Sequence, residues 1–192
     1  HDDHSRLCCH LQWYLSEQAE DLVHGVSQAL EKRGLPGKAL MDNGSAMVAQ
    51  EVVEGFLRLS IIQENTLPYS PFQNGKEEVF WGQLEGRLMA MLEGVKDLTL
   101  ALLNEATQAW VEMEYNRTKS SETNEKPLDR FLNGRSVLRP CPSSEALRNA
   151  FRIQTRRTQR QSDGTIVIEG VRFEVPSRLR NLQKLAVQSA RW

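Results

Sequence analysis

The stretch RLCCHLQWYL, Arg6 to Leu15, is apolar and aromatic without a helix breaker, and it predicts a strand. Ser16 is then placed to cap a helix whose apolar positions Leu22, Val26, Ala29 and Leu30 recur at helical spacing, ended by KRGLPG. KALMD predicts a short buried strand stopped by DNGS. QEVVEGFLRLS predicts a second helix and IIQEN a further short strand. This alternation of strands and helices predicts an α/β core.

TLPYSPFQNG, with two prolines and an Asn-Gly, predicts a loop. A long helix follows, roughly Lys76 to Val95, with the stripe Trp81, Leu84, Leu88, Met91, Leu92 and Val95. Another covers about Leu98 to Tyr115, with Leu102, Leu103, Ala106, Ala109, Trp110 and Met113 turned inward. NRTKSSETNEKP is a polar connector, and PLDRFLNG a short helix closed by Gly134. CPSSEALRNAFRIQTRRTQR reads as a short capped helix and a basic stretch. In SDGTIVIEGVRFEVPSRL two alternating runs flank Glu169-Gly170, which predicts a hairpin, and KLAVQSARW predicts one more strand.

Charge divides the chain. Residues 135–192 hold 12 Lys+Arg and 4 Asp+Glu, a net of +8, whereas residues 1–134 hold 12 and 21, a net of -9. A basic end on an acidic body suits a polyanion, although it is equally the pattern of an unrelated solvated surface. Three cysteines, two of them adjacent, make no disulfide framework. No apolar run approaches the ~18 residues of a membrane span.

Candidate chemistry begins with HDDHSR, where Asp2, Asp3, His1 and His4 have the look of a metal cluster. Zinc on His4, Cys8, Cys9 and His10 is disfavoured, because neighbours in a strand point apart. Asp42 ends an apolar strand, where α/β sheets hold ligands, but Asp-Asn-Gly is first of all a turn sequence. Asn74 can cap the long helix with Glu77 in a capping box, which leaves Glu78 over, off the apolar stripe. The bland role of Glu78 is to favour the helix dipole, worth ~0.3–1 kcal/mol.

Together these sites say more. Asp42 and Glu78 are separated by 35 residues, one after a strand and one opening a helix. This resembles the Asp-Asp-35-Glu signature of retroviral-type integrases and DDE transposases. MDNGS is similar to the second-aspartate motif, and PYSPFQNGKEE to the Pro-Tyr-x-Pro…Asn-Gly-Lys-x-Glu motif of bacterial insertion-sequence transposases. YNRTKSSETNEKPLDRFL resembles their Tyr-Asn…Thr-Pro ending, and SDGTIVIEGVRFEVPSRL the small β-barrel of Mu-transposase-like proteins. Glu77 departs from a usually apolar position, Val79 from a frequent arginine, and Ala46-Met47 from a commoner polar residue and Phe.

The resemblance implies a ribonuclease-H-like α/β core with a mixed sheet over residues 1–135, a linker over 136–150 and a partial small β-barrel over 151–192. It implies DNA transposition or integration by metal-dependent phosphodiester cleavage and strand transfer. Asp42 and Glu78 would be catalytic and would bind two Mg²⁺ or Mn²⁺ ions. Tyr69, Asn74 and Lys76 would approach DNA beside them, and Arg156, Arg157, Arg160, Arg178 and Arg180 would contact phosphates. The expected partners are element ends, target DNA and further copies of the chain, with no membrane, in the bacterial cytoplasm at the nucleoid. DDHSR matches a word that opens the second strand of such cores, so the first aspartate is expected upstream of His1. The chain alone is then expected to be inactive. The alternatives are a nuclease of the same fold without strand transfer, and a DNA-binding relic without catalysis.

Overall fold

The computed structural model describes residues 1–67 and 75–189. The elements in order are α1 (Ala19–Arg33), β1 (Lys38–Met41), α2 (Gln50–Arg58), β2 (Ile62–Asn65), α3 (Gly75–Leu84), α4 (Ala90–Leu92), α5 (Leu100–Met113), α6 (Pro127–Asn133), α7 (Ser144–Ala150), β3 (Ile153–Thr158), β4 (Thr165–Ile168), β5 (Val171–Glu174) and β6 (Lys184–Ser189). A π-helical segment, Glu85–Met89, joins α3 to α4.

β1 and β2 pair in parallel, with Lys38 opposite Ile62 and Met41 opposite Asn65. α2 crosses between them, the expected order for a βαβ unit. One core lies beneath: Val23 and Leu30 of α1, Val52 and Phe56 of α2, and Leu147 and Ala150 of α7 with Phe151. Residues 136–150 thus carry a helix that packs into this core. α1 begins at a Gln18–Asp21 capping box, with Ser16 bonded to Asp21, so the cap lies two residues later than expected. It ends at Gly34, whose φ of +94° and closeness to the Arg139 carbonyl, 2.9 Å from an added Cβ, exclude a side chain.

A second core joins Cys8 to Phe80, Leu84, Leu88, Trp110 and Val111, with Leu11 and Trp13 packed against it. Here the structure corrects the sequence reading. Residues 6–15 form no β-ladder among the described residues. Side-chain amides of the α5 region take the place of a neighbouring strand. Asn116 accepts from the Cys8 N–H at 2.9 Å and donates to the Cys8 carbonyl at 3.1 Å. Asn104 does the same for Trp13, at 2.7 and 3.1 Å, and Gln108 donates to the Leu11 carbonyl. The Trp13 indole donates to the fully buried Thr107 at 2.8 Å. The inner face of α5 is therefore partly polar, and Leu102 and Met113, expected inside, are 41% and 68% exposed.

The long helix slips similarly. Phe80, Leu84 and Leu88 are buried, while Trp81 and Met91 are 41% and 67% exposed. The π segment, Glu85–Met89, adds a residue to a turn, and beyond it Met91 leaves the expected face while Leu92 stays packed against the core; Trp81, ahead of it, lies edge-on to Phe80 at 5.8 Å.

The basic stretch forms a strand, β3, antiparallel to β6, and β4 pairs antiparallel with β5. Ile166, Val175 and Leu185 close a small third core between the two pairs. No helix among the described residues is long and apolar enough to cross a membrane.

Candidate functional site

HDDHSR is a structural knot. Asp2 accepts from the Ser5 N–H at 2.7 Å and from the Ser5 hydroxyl at 2.5 Å. Arg6 sits at φ 66°, and its N–H donates to the Asp2 carbonyl at 2.9 Å. Asp3 accepts from Lys76 at 2.6 Å and from Arg6 at 3.1 Å, and Arg6 also grips Glu122 at 2.7 Å. The Lys76 ammonium bonded to it holds the Asp3 carboxyl below its usual range. His1 meets Glu77 at 3.0 Å and stacks edge-on against Phe80. These contacts fasten the chain start to the first turn of α3.

Asp42 follows the C-terminal end of β1, exposed, at the edge where the parallel pair opens. Its Oδ1 accepts from the Gly44 N–H at 2.8 Å, an Asx turn. Asn65, from the end of β2, donates to the Asp42 carbonyl at 2.7 Å, and Asn43 donates to the Thr66 carbonyl at 2.7 Å. The turn reading and the ligand reading are thus compatible: the backbone is pinned on both sides, and Oδ2 has no hydrogen-bond partner among the described residues. Asp42 also lines a groove of about 570 Å³ with His10, Tyr14, Asp21, Val26 and Met47. α3 contributes no described residue to this groove.

Glu78 lies on the first turn of α3, exposed, with no ion pair or hydrogen bond among the described residues. Lys76, expected at phosphate, meets Asp3 instead, though it remains half exposed. Tyr69 and Asn74 lie outside the described residues, and with them the capping box expected for Glu77. Among the described residues no group of three or more His, Cys, Asp or Glu could hold a metal ion. The structure does not join Asp42 and Glu78 into such a cluster. Both offer hard oxygen donors of the kind Mg²⁺ takes. Cys8, whose thiol burial pushes up to about 12, is used in packing the second core.

The five arginines differ. Arg156 is exposed on the outer face of β3 and carries no ion pair among the described residues, as is Arg178 in the turn after β5. Arg160 meets Asp163 at 3.8 Å, and Arg180 meets Glu174. Arg157 points inward beside Thr155, and its Nε is buried without a partner. The sequence reading missed the amide ladder of Asn104, Gln108 and Asn116. Its signal was present, a polar i, i+4 pair on a helix otherwise counted as apolar.

No protein-family profile matches the sequence, and no curated protein matches it. Among solved structures the chain is similar to one chain of the simian T-cell lymphotropic virus intasome in complex with PP2A regulatory subunit B56 gamma, with a TM-score of 0.55 and 19% identity. That match covers 68% of this chain and 45% of the other, so this chain spans under half of that one's length. It also matches the HTLV-2 integrase catalytic core domain in complex with magnesium, at TM-score 0.47 and 19% identity over 60% and 71% of the two chains. A third match is the catalytic core domain of BIV integrase, at 0.48 and 23% over 63% and 75%. At these identities the likeness is one of fold: the chain has an α/β fold of the ribonuclease-H-like type.

Proposed function

We propose that this chain belongs to the machinery of DNA integration or transposition, with Asp42 and Glu78 as two of the carboxylates that hold divalent metal. One observation carries the reading: within an integrase-type fold, Asp42 directly follows the C-terminal end of a parallel strand, where α/β sheets bind ligands.

Asn65 and Gly44 hold the Asp42 backbone and one carboxylate oxygen, which leaves the other oxygen to reach outward. The Asp3–Lys76 and His1–Glu77 contacts steady the helix start from which Glu78 projects. Asp42 and Glu78 would hold Mg²⁺ or Mn²⁺, which in a two-ion site activates the attacking oxygen and stabilises the leaving one. The reaction is an in-line displacement at phosphorus: water cleaves a phosphodiester, and the freed 3′-hydroxyl then attacks target DNA. Lys76 can exchange Asp3 for a phosphate, and Arg156 and Arg178, exposed and without an ion pair among the described residues, offer guanidinium groups to the DNA backbone. The partners on this reading are element ends, target DNA and further copies of the chain, in the bacterial cytoplasm. The bacterial insertion-sequence type and the Mu-like barrel are part of the proposal.

The test is cleavage and joining of labelled DNA ends by the protein as its gene encodes it, with Mg²⁺ or Mn²⁺. Joined products lost in both Asp42→Asn and Glu78→Gln support the reading. Cleavage without joining moves it to a nuclease, and DNA binding unchanged by either substitution, with no cleavage, moves it to a relic. Both acids are exposed, so each substitution should leave the thermal midpoint nearly unchanged, within about 0.5 kcal/mol of stability.

A further inference from the structure

We infer that the outer edge of β5 is a self-pairing surface, on which a second copy of this chain adds its own β5 in antiparallel register about Phe173. The inference uses no property of Asp42, Glu78 or DNA, and stands or falls separately from the functional reading.

The β4–β5 hairpin turns through Glu169 and Gly170, both left-handed at φ 49° and 80°. A two-residue turn of this kind makes its flanking pair, Ile168 and Val171, a hydrogen-bonded one. At the far end the Val175 N–H donates to the Gly164 carbonyl at 2.9 Å. Such pairs alternate along a ladder, so Phe173 and Ile166 form the one between. The backbone N–H and C=O of Arg172 and Glu174 therefore point away from β4. Nothing among the described residues bonds them. The other side of the hairpin obeys the same phase, because Arg160 N–H donates to the outward Thr165 carbonyl at 2.8 Å.

The edge reads Val171-Arg172-Phe173-Glu174-Val175, which is symmetric in polarity and opposite in charge about its centre. Antiparallel pairing about Phe173 sets Arg172 against the second copy's Glu174, and Glu174 against its Arg172. These are the residues whose backbone groups point outward, so each pair can exchange two N–H···O=C bonds. Phe173 then meets its own copy in a non-hydrogen-bonded pair, where side chains lie closest. Phe173 and Val171 are 47% and 56% exposed, on the same face as Ile166 and Ile168.

Other registers fail. Centring on Arg172 or Glu174 sets like charges together. Centring between residues sets an outward backbone against an inward one and leaves bonds unmade. Within the chain Arg172 stands 3.7 Å from Asp163, and Glu174 meets Arg180. Both contacts are solvent-exposed and can be shared with a facing charge. Pro176, without an N–H, ends the edge, so the contact is short and belongs with weak, reversible interfaces.

Sedimentation equilibrium of the whole chain, without DNA, tests this. The chain should show a concentration-dependent dimer. Arg172→Glu and Glu174→Arg, each alone, should weaken association about tenfold by replacing two attractive pairs with two repulsive ones. An equimolar mixture of the two variants should restore it, since each then faces its opposite. Hydrogen exchange should slow at the Arg172 and Glu174 amides as concentration rises, and not at Phe173. Circular dichroism checks that each variant keeps its fold. A monomer up to the solubility limit, a dimer indifferent to both substitutions, or a mixture that stays monomeric would each overturn the proposal.

Discussion

Asn116 is fully buried and holds both backbone groups of Cys8. Asn116→Ala would strand a buried N–H and a buried C=O, and should cost about 2–4 kcal/mol. A lower urea midpoint with an unchanged slope would report it. Asn116→Asp keeps only the acceptor and should not rescue. Two tyrosines make a second residue-scale case. Burial pushes both Tyr14 and Tyr115 from 10.0 to about 12. A raised folded value favours the neutral phenol, so this contribution is complete below about pH 10 and lost as pH rises through about 12. Stability followed against pH should fall across that window, together with late tyrosinate absorbance. Single substitutions to Phe should flatten the fall.

At the scale of elements, α2 and the end of α7 meet through Gly55. A Cβ there would stand 2.1 Å from the Phe151 ring, which is itself fully buried and edge-on to Phe56 at 5.9 Å. Gly55→Ala gains about 1 kcal/mol of helix propensity. It loses about 1–3 kcal/mol to overpacking. The clash involves a rigid ring with no space to yield, so net destabilisation is expected, read as a lower thermal midpoint. Element identity was largely legible: both short strands (although β1, expected to be buried, leaves Leu40 60% exposed), all five helices expected over residues 16–134, the capped helix that became α7, and the Glu169-Gly170 hairpin follow from periodicity and turn residues. Two assignments failed for one reason. Residues 6–15 looked like a strand, and α5 looked apolar inward, because neither pattern carries the identity of its neighbour. The polar face of α5 turns in to bond the extended segment, and that pairing exists only across about a hundred residues of chain.

Across the whole molecule, charge is sorted by region, and the basic end should report it in solution. If the tail meets DNA, Arg156→Ala should weaken binding across all sequences and lower the salt slope by about 1. Arg160→Ala should do less, because Asp163 already partly answers its charge. Fluorescence anisotropy at several salt concentrations measures both, and equal slopes would refute the ranking. The first two cores stand side by side, tied between α1 and α5 by Arg33, which clasps Glu112 with contacts of 2.7 and 2.8 Å, and by Lys32 on Gln108 at 2.9 Å.

The sequence by itself determined the helices, the β1–α2–β2 alternation, the spacing of Asp42 and Glu78, and the basic tail, because these are properties of local pattern and composition. It set the α/β class. Only the tertiary structure decided that HDDHSR is a turn fastened to α3, that Lys76 answers Asp3, and that among the described residues Arg156 and Arg178 carry no ion pair where Arg160 and Arg180 do. Those outcomes depend on which charges come within about 4 Å of each other, and partners far apart in the chain are paired by packing rather than by spacing. The open edge of β5 belongs to both: its charge symmetry is written in five residues, and its outward-facing backbone is set by the turn and by Val175 on Gly164.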